Sequence, residues 1–238
     1  MAPTLVLLHG FTHTGASWDR VVAALGERYL SLAPDIRGHG SASHAAPVTA
    51  AAVIDDVLAL APGPFELAGY SMGGRLALHV ALAAPDRVQR LTLIGASPGI
   101  EDEGERAQRR AADEQLAGEV ERLDIETFAV QWAQTPVLAG LPDEVAAAVH
   151  RDRLRSTPAG LAAALRGLGT GALPSLWERL GELAMPVTLL VGERDEKFRA
   201  VATAMASRIA GARVIVADRA GHAVHLEAPV PAAAAIGG

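Results

Sequence analysis

The chain has 238 residues, of which 50% are hydrophobic, and its formal net charge at pH 7 is −6. It contains no cysteine, which excludes disulfide bonds and cysteine-bound metal. A mildly acidic chain without a basic tail lacks the clustered positive charge that general nucleic-acid binding needs. The start has no signal-peptide pattern, and no later apolar run approaches the ~18 residues of a membrane span, so we expect a soluble, cytoplasmic protein with no membrane partner.

Short apolar runs recur along the chain and predict buried strands at residues 5–8, 65–68, 91–94, 187–191 and 214–216. Their apolar positions are continuous rather than alternating, which is typical of parallel strands covered by helices on both faces. Segments of helical length and composition lie among them, at residues 17–25, 49–60, 74–83 and 198–209. This alternation predicts an α/β fold with a mostly parallel, doubly wound sheet.

Residues 99–184 interrupt the alternation because they contain no convincing strand. Their sequence favours helices at 103–123, 127–132, 143–155 and 160–168, with prolines between them at Pro136, Pro142, Pro158 and Pro174. We therefore predict a helical cap inserted into a core made of residues 1–98 and 185–238. The final segment, 229–238, is rich in alanine and ends on two glycines, so we expect its last turns to fray.

The clearest chemical motif is Gly69-Tyr70-Ser71-Met72-Gly73, a G-x-S-x-G sequence that directly follows a predicted strand and precedes a predicted helix. Such a turn strains the serine backbone and exposes its hydroxyl, and the flanking glycines let the strand and the helix approach closely. The bare pattern also arises by chance in a chain with 24 glycines. Its placement is what favours Ser71 as a nucleophile or base.

A serine hydroxyl needs a histidine to accept its proton and an acid to orient that histidine. Ligands of open parallel sheets bind beyond the carboxyl ends of the strands, and Asp195 and His222 each follow a predicted strand. The order Ser71, Asp195, His222 is the one that this architecture uses. The alternative for His222 is a loop histidine that only bonds a carbonyl group.

Two backbone N–H groups are the expected donors to a developing oxyanion. Met72 follows the serine, and Phe11 lies in the loop after the first strand. These are backbone roles, so the side chains at both positions matter less to the prediction.

Other histidines allow a competing hypothesis of metal binding, by His9 with His13 or by His222 with His225 and Glu227. Neither spacing matches a metalloenzyme pattern such as H-E-x-x-H, so we predict no metal. We expect no cofactor either, because no G-x-G-x-x-G sequence follows the first strand and no phosphate-cradling loop is present. For His39, which lies between two glycines, a loop-shaping role is favoured.

The serine motif, the His9-Gly10-Phe11 loop and the Ser-Asp-His order resemble the α/β-hydrolase superfamily, from about residue 4 to residue 228. A narrower resemblance covers core and cap alike. It rests on Tyr70 to Arg75, Ser97-Pro98-Gly99, Arg106 to Arg109, Trp132 with Gln134 and Pro136, Arg153-Leu154 ahead of Gly160-Leu161-Ala162, and Gly192 to Phe198. Together these segments look like the 2-succinyl-6-hydroxy-2,4-cyclohexadiene-1-carboxylate synthase family of menaquinone biosynthesis.

That resemblance implies a lyase rather than a hydrolase. The family's substrate is a cyclohexene that carries a succinyl group, a carboxylate and an enolpyruvyl ether, and the reaction expels pyruvate. The triad then acts as a base that removes an α-proton, without an acyl-enzyme. A serine hydrolase of a carboxylated ester or a carbon–carbon bond remains the alternative, whereas a noncatalytic binding protein is disfavoured because no triad member is missing. The sequence leaves the oligomeric state open.

A substrate with several carboxylates needs fixed cations, and guanidinium binds carboxylate through two hydrogen bonds. Arg75 lies one helical turn after Ser71, and Arg106, Arg109 and Arg110 share part of one helical face. The resemblance favours Arg109 and then Arg106, although flanking acids also allow a solvated, salt-bridged helix.

The resemblance implies further contacts with this small polycarboxylate substrate. Arg153 matches the family position, and Arg155 is the alternative if the loop is shifted. Tyr70 and Trp132 complete the expected substrate-binding set, core packing being the alternative for Trp132.

Overall fold

A computed structural model describes residues 2–135 and 141–238. In these ranges six strands form one parallel sheet in the order β2-β1-β3-β4-β5-β6. The strands are β1 (Thr4–Leu8), β2 (Leu30–Leu32), β3 (Phe65–Tyr70), β4 (Val88–Ile94), β5 (Val187–Gly192) and β6 (Arg213–Ala217). The prediction of an α/β fold built on a parallel sheet is confirmed, and each predicted strand is present with one or both ends extended by one to three residues.

Among the strands of residues 2–135 and 141–238, β2 is the one that the sequence prediction missed. It has three residues and pairs only with β1, at the edge of the sheet. Because one side of an edge strand faces solvent, Leu30 is 57% exposed, and its apolar residues alternate with Ser31 instead of forming a run. The pattern of a doubly covered central strand is therefore absent at this position.

Helices cover both faces of the sheet. Those of the core are α1 (Asp19–Leu25), α2 (Ala50–Leu60) and α3 (Met72–Ala83). Four more follow β4, namely α4 (Glu103–Val120), α5 (Ile125–Ala133), α6 (Asp143–Arg153) and α7 (Pro158–Leu168). The last three are α8 (Glu196–Ala206), α9 (Val224–Glu227) and α10 (Pro229–Gly237). Several begin where the sequence places a capping side chain, such as Thr49, Asp102, Asp124 and Thr157.

The central strands explain why their apolar positions are continuous. Alternate side chains of β1 enter opposite cores: Val6 and Leu8 pack with α2 and α3, whereas Leu5 and Leu7 pack with α1 and α10. All four are almost completely buried. Since successive side chains of a strand point to opposite faces, both faces must be apolar when both are covered.

The segment predicted as a helical cap holds α4 to α7, between β4 and β5. It has a small apolar cluster of its own, which includes Phe128 and Leu161, and α7 also adds Ala164 and Leu168 to the core beneath. Gly167 permits this close approach, because a Cβ there would collide with the carbonyl oxygen of Val48. The division of the chain into a core domain and a cap domain remains a prediction, and Pro136 lies outside the described residues.

No helix in the described ranges is both long enough and apolar enough to cross a membrane.

The end of the chain differs from the expectation that its last turns fray. Helix α10 continues to Gly237, and Ala232, Ala233 and Ile236 are buried against α1 and its surroundings. Alanine side chains are short, so two helix backbones can approach closely along this contact. The alanine-rich composition that suggested fraying is what allows this packing.

This packing predicts a measurable contribution of the last turn to stability. Ile236 is 1% exposed, and we expect Ile236→Ala to lower the free energy of unfolding by about 2 kcal/mol or more, through lost burial and a residual cavity. Val230→Ala is the matched control on the same helix, because Val230 is 68% exposed and its loss should change stability by less than about 0.5 kcal/mol. Chemical denaturation measures both, and two equally small effects would show that the last turns do not pack.

Candidate active site

The predicted triad residues and Phe11 lie in the loops that follow β1, β3, β5 and β6, at the carboxyl edge of the sheet. In the sheet, β2 lies on one side of β1 and β3 lies on the other. The direction in which successive strands are added therefore reverses between β1 and β3. Adjacent loops diverge at such a reversal and leave a crevice, where ligands of open α/β sheets bind. Ser71 ends one of these loops and Phe11 lies in the other.

Ser71 occupies a strained turn between β3 and α3. Its φ is 51° and its ψ is −110°, a left-handed conformation that non-glycine residues rarely adopt. A Cβ on Gly69 would collide with the carbonyl oxygen of Gly73, and one on Gly73 would collide with that of Leu8. The two glycines of the motif are therefore required by close backbone approach, as expected for a nucleophile elbow.

Ser71, His222 and Asp195 form a hydrogen-bonded row. His222 Nε2 lies 3.2 Å from Ser71 Oγ, and His222 Nδ1 lies 2.6 Å from Asp195 Oδ2. A proton on Nδ1 directed at the carboxylate leaves Nε2 free to accept the serine proton. The structure thus brings together the three residues that the sequence singled out, although they are up to 151 positions apart in the chain.

Aromatic rings hold the imidazole of His222 in place. The ring centroid of Phe198 lies 4.5 Å from that of His222, and the ring centroid of Tyr70 lies 5.3 Å from it. Asp195 is fixed in turn at the start of α8, where its other carboxylate oxygen accepts a hydrogen bond from the N–H of Phe198 at 3.2 Å. Packing of this kind restricts the rotation of the histidine ring.

Glu227 is a functional candidate whose role the sequence analysis missed. Its carboxylate accepts hydrogen bonds from the N–H groups on either side of His222, Gly221 at 2.9 Å and Ala223 at 3.2 Å. It also accepts one at 2.7 Å from Arg194, the residue before Asp195. Glu227 thereby joins the two loops that present the histidine and the acid, and only its spacing of five residues from His222 hints at this in the sequence.

The two predicted oxyanion donors are free to bind a ligand. Met72 is the first residue of α3, and N–H groups in the first turn of a helix have no partner within it. In the described part of the chain, neither the N–H of Met72 nor that of Phe11 donates to a protein acceptor. Their role as an oxyanion hole stays a prediction.

His9 anchors the loop that contains Phe11. Its Nε2 accepts a hydrogen bond from the N–H of Ile36 at 2.9 Å, and its Nδ1 lies 2.9 Å from the carbonyl oxygen of Gly10. Complete burial lowers the pKa of His9 to about 4, so the ring is neutral at pH 7. His9 therefore shapes the backbone, and it does not face the cavity.

A cavity of about 430 Å³ opens above Ser71, between the sheet edge and the cap. Seven of the predicted residues besides Ser71 line it, namely Phe11, Tyr70, Met72, Arg75, Arg109, Trp132 and His222. The lining also contains residues that the sequence analysis did not assign to a cavity, among them His13, Leu165, Leu168, Trp177, Lys197 and Phe198. All the charged side chains in the described lining other than histidine are cationic: Arg75, Arg109 and Lys197.

Arg75 and Arg109 approach the cavity from different parts of the fold. Arg75 lies on α3 and is only 7% exposed, and burial, together with the charge of Arg109, lowers its pKa to about 10. Arg109, on α4 of the cap, donates from Nε to Asp113 at 2.8 Å. Arg75 Nε is buried without a hydrogen-bond partner in the described residues. Two guanidinium groups with one buried acid leave positive charge available for an anion.

Two other predicted arginines do not line the cavity. Arg106 Nη2 lies 3.6 Å from Glu103 Oε1 in the first turn of α4, where an acid three residues earlier is within reach. Arg153 is 1% exposed, and its Nε donates to Thr12 Oγ1 at 3.2 Å, in the loop next to Phe11. Arg155, the alternative for that position, has a side chain that is 64% exposed. The structure thus directs Arg153 inward and Arg155 outward.

Comparison with known proteins identifies the family. The family described as alpha/beta hydrolase fold matches residues 3–229. A Bacillus subtilis (strain 168) protein, provisionally named 2-succinyl-6-hydroxy-2,4-cyclohexadiene-1-carboxylate synthase, is 37% identical over 94% of this chain and 85% of its own. The synthase of that name from Salmonella agona (strain SL483) is 36% identical, over 96% of this chain and 90% of its own.

A solved structure agrees with these relatives. The structure of MenH from S. aureus superposes with a TM-score of 0.91 at 32% identity, and the match covers 98% of this chain and 91% of that one. The chain therefore belongs to the α/β-hydrolase fold family, and both resemblances expected from its sequence are confirmed, the broad one by the family match and the narrow one by the synthase relatives.

The hydrogen bonds of Glu227 predict that it positions His222. Glu227→Gln keeps the shape but removes the charge, and we expect it to slow covalent labelling of Ser71 by phenylmethanesulfonyl fluoride about tenfold, because bonds to a charged acceptor are the stronger ones. Intact-mass spectrometry follows the labelling. Glu193→Gln is the control, since in the described residues the Glu193 side chain accepts a hydrogen bond only from the exposed N–H of Arg219, at 2.7 Å. Wild-type labelling of Glu227→Gln would contradict the assignment.

Buried histidines predict how stability depends on pH. Burial lowers the pKa of His9 and His79 to about 4 and that of His39 to about 3, against 6.5 for the free side chain. The unfolded chain therefore binds more protons than the folded chain below pH 6.5, so the free energy of unfolding is expected to fall as the pH drops from 6.5 towards 4. His79→Gln removes one of these protons, so it should lower the slope of the unfolding free energy against pH by ~1.4 kcal/mol per pH unit. Denaturant titrations at several pH values measure it, and an unchanged slope would be inconsistent with a neutral His79.

Proposed function

We propose that this protein is a carbon–oxygen lyase of menaquinone biosynthesis, which eliminates pyruvate from an enolpyruvyl cyclohexene carboxylate to give 2-succinyl-6-hydroxy-2,4-cyclohexadiene-1-carboxylate. The observation that carries the proposal is the cavity itself: the triad serine opens into a space whose charged side chains, histidine aside, are cationic. A general esterase does not need cationic side chains in its cavity, whereas an enzyme that binds a substrate with several carboxylates does. The synthase names of the relatives support the same reaction.

In this mechanism Ser71 and His222 together act as the base. His222 Nε2 accepts the proton of Ser71 Oγ across 3.2 Å as the oxygen takes the substrate's α-proton, and Asp195 stabilises the imidazolium that forms. The serine stays unacylated throughout. The strained turn assists by holding Oγ clear of the backbone at the cavity surface.

The electron pair of the broken carbon–hydrogen bond moves through the ketone-conjugated ring and expels the enolpyruvyl oxygen, so that one carbon–oxygen bond breaks and the ring gains a double bond. The departing enolate takes up a proton to become pyruvate, and the imidazolium of His222 is the available donor. Negative charge that develops on the ketone oxygen is stabilised by the N–H groups of Met72 and Phe11.

The arginines hold the carboxylates. Arg75 reaches the cavity from the helix that begins beside Ser71, and Arg109 reaches it from the cap, so a substrate bound to both is placed between core and cap. Arg153 adds charge beneath the loop that contains Phe11. Tyr70 and Trp132 provide apolar walls, which orient the ring of the substrate. Nothing in this scheme needs a metal or an organic cofactor, and we expect the enzyme to act in the cytoplasm.

A serine hydrolase is the second candidate, and the geometry of the triad favours it specifically. A serine Oγ at 3.2 Å from a histidine, with two free N–H groups nearby, is also the arrangement that attacks an ester carbonyl. The two candidate functions use the same catalytic residues and differ in the role of the cationic side chains in the cavity.

One assay separates them. We expect rapid pyruvate release from the enolpyruvyl substrate, generated in situ by the preceding pathway enzyme, and negligible hydrolysis of a small aryl ester. Ser71→Ala should lower the turnover number by at least about a thousandfold, because it removes the base.

Arg109→Gln should raise KM about tenfold or more, since a charged hydrogen bond to a substrate carboxylate is lost.

Arg106→Gln is the matched control, because Arg106 shares helix α4 with Arg109 but lies outside the cavity lining. We expect its kinetic constants to remain close to those of the wild type. Ester hydrolysis without pyruvate release would make the protein a hydrolase. Near-full pyruvate release by Ser71→Ala would instead show that the triad is not the base.

A further inference from the structure

The loop from Gly10 to Gly15 is held to the core at its two ends. On one side the N–H of Ile36 donates to His9 Nε2 at 2.9 Å. On the other side the N–H of Gly15 donates to Asp35 Oδ1 at 2.8 Å. Between these anchors the loop contains Phe11, whose N–H is the second predicted oxyanion donor.

The middle of this loop is held by the cap. Asp152, on helix α6, accepts a hydrogen bond from the N–H of Thr14 at 2.9 Å and a second one from the hydroxyl of Thr14. The next residue of the helix, Arg153, donates to the hydroxyl of Thr12 at 3.2 Å. In the described part of the chain, every hydrogen bond between residues 11–14 and a segment distant in sequence goes to α6.

These contacts restrain a backbone that is unfavourable by itself. Thr12 has a φ of 67°, in the left-handed region that a β-branched residue avoids, and such a conformation persists only where its surroundings impose it. Asp152 is 7% exposed and lies 3.6 Å from the ring of His13. Burial by itself would raise its pKa, but the nearby ring of His13 and the hydrogen bonds from Thr14 outweigh burial and lower it, so the carboxylate is ionised at neutral pH.

We propose that Asp152 is a positioning residue through which the cap sets the geometry of the oxyanion hole. By fixing Thr14 it holds the short loop that directs the N–H of Phe11 towards the cavity above Ser71. Helix α6 would then contribute to catalysis without touching the substrate. The inference rests on the oxyanion role of the Phe11 N–H in the proposed function, and it does not depend on which substrate the enzyme uses.

Two readouts test the proposal with the full chain. Covalent labelling of Ser71 by phenylmethanesulfonyl fluoride needs the triad and the oxyanion donors but no natural substrate. We expect Asp152→Asn to slow it about tenfold, less than the hundredfold or more that removal of an oxyanion donor costs. In the pyruvate-release assay we expect a similar fall in kcat with KM unchanged within about twofold, since the cations that bind the substrate remain.

Two further variants separate positioning from general damage to the cap. Glu114→Gln breaks an exposed ion pair with Arg166 that joins α4 to α7, at 2.9 Å, and should label at the wild-type rate. Thr14→Val removes one of the two groups of Thr14 that donate to Asp152 and leaves the other in place. If Asp152 acts through Thr14, the double variant should be slowed less than the product of the two single effects.

Wild-type labelling and wild-type kcat in Asp152→Asn would overturn the proposal, and so would strictly multiplicative effects in the double variant. If Asp152→Asn does not fold, Thr14→Val decides alone: slower labelling supports the proposal and an unchanged rate refutes it. A wild-type protein that releases no pyruvate, but whose labelling still depends on Asp152, would remove the proposed function and leave this inference intact.

Discussion

The left-handed conformation of Ser71 is the constraint on which the site depends. A serine at a φ of 51° between β3 and α3 holds its hydroxyl away from the sheet and places the N–H of Met72 at the free start of a helix. Both neighbours of the turn must lack a Cβ, because Gly69 and Gly73 touch backbone carbonyl groups. The strain is sustained by the parallel sheet, since β3 pairs on one side with β1 and on the other with β4.

The cap supplies many of the side chains that surround the cavity above Ser71. It contributes Arg109 and Trp132 to the cavity, and α7 packs its apolar residues directly on the core. Asp152 and Arg153 of the cap also form hydrogen bonds with the loop beside Ser71. In the proposed function its residues therefore have three roles, as binding groups, as a wall of the cavity and as a support for the loop that contains Phe11. The last of these follows only from contacts between residues about 140 positions apart.

Charge is distributed unevenly through the molecule in a way that suits an anionic ligand. The chain is acidic overall, with a net charge of −6, yet the cavity lining has cationic side chains and several buried neutral histidines close by. His9 and His39 stay neutral because burial disfavours their charged forms, so they shape the loops without adding charge. The cationic side chains of the lining are Arg75, Arg109 and Lys197, and Arg75 keeps its charge at neutral pH even though burial lowers its pKa to about 10.

The sequence by itself determined the α/β fold and the central strands, and it singled out the turn around Ser71 and the residues Asp195 and His222 that the structure brings to it. These follow from local patterns, since a doubly covered strand must be apolar at every position and a tight turn must contain glycine. The edge strand β2 and the packed end of α10 were missed, because edge exposure and helix–helix contact leave no local pattern. Only the tertiary structure decided that Arg109 faces the cavity while Arg106 does not, and that Arg153 turns inward. It also decided that Glu227 binds the loop around His222 and that Asp152 binds the loop after β1. Such roles depend on which distant residues meet, and that is set by the packing of whole elements.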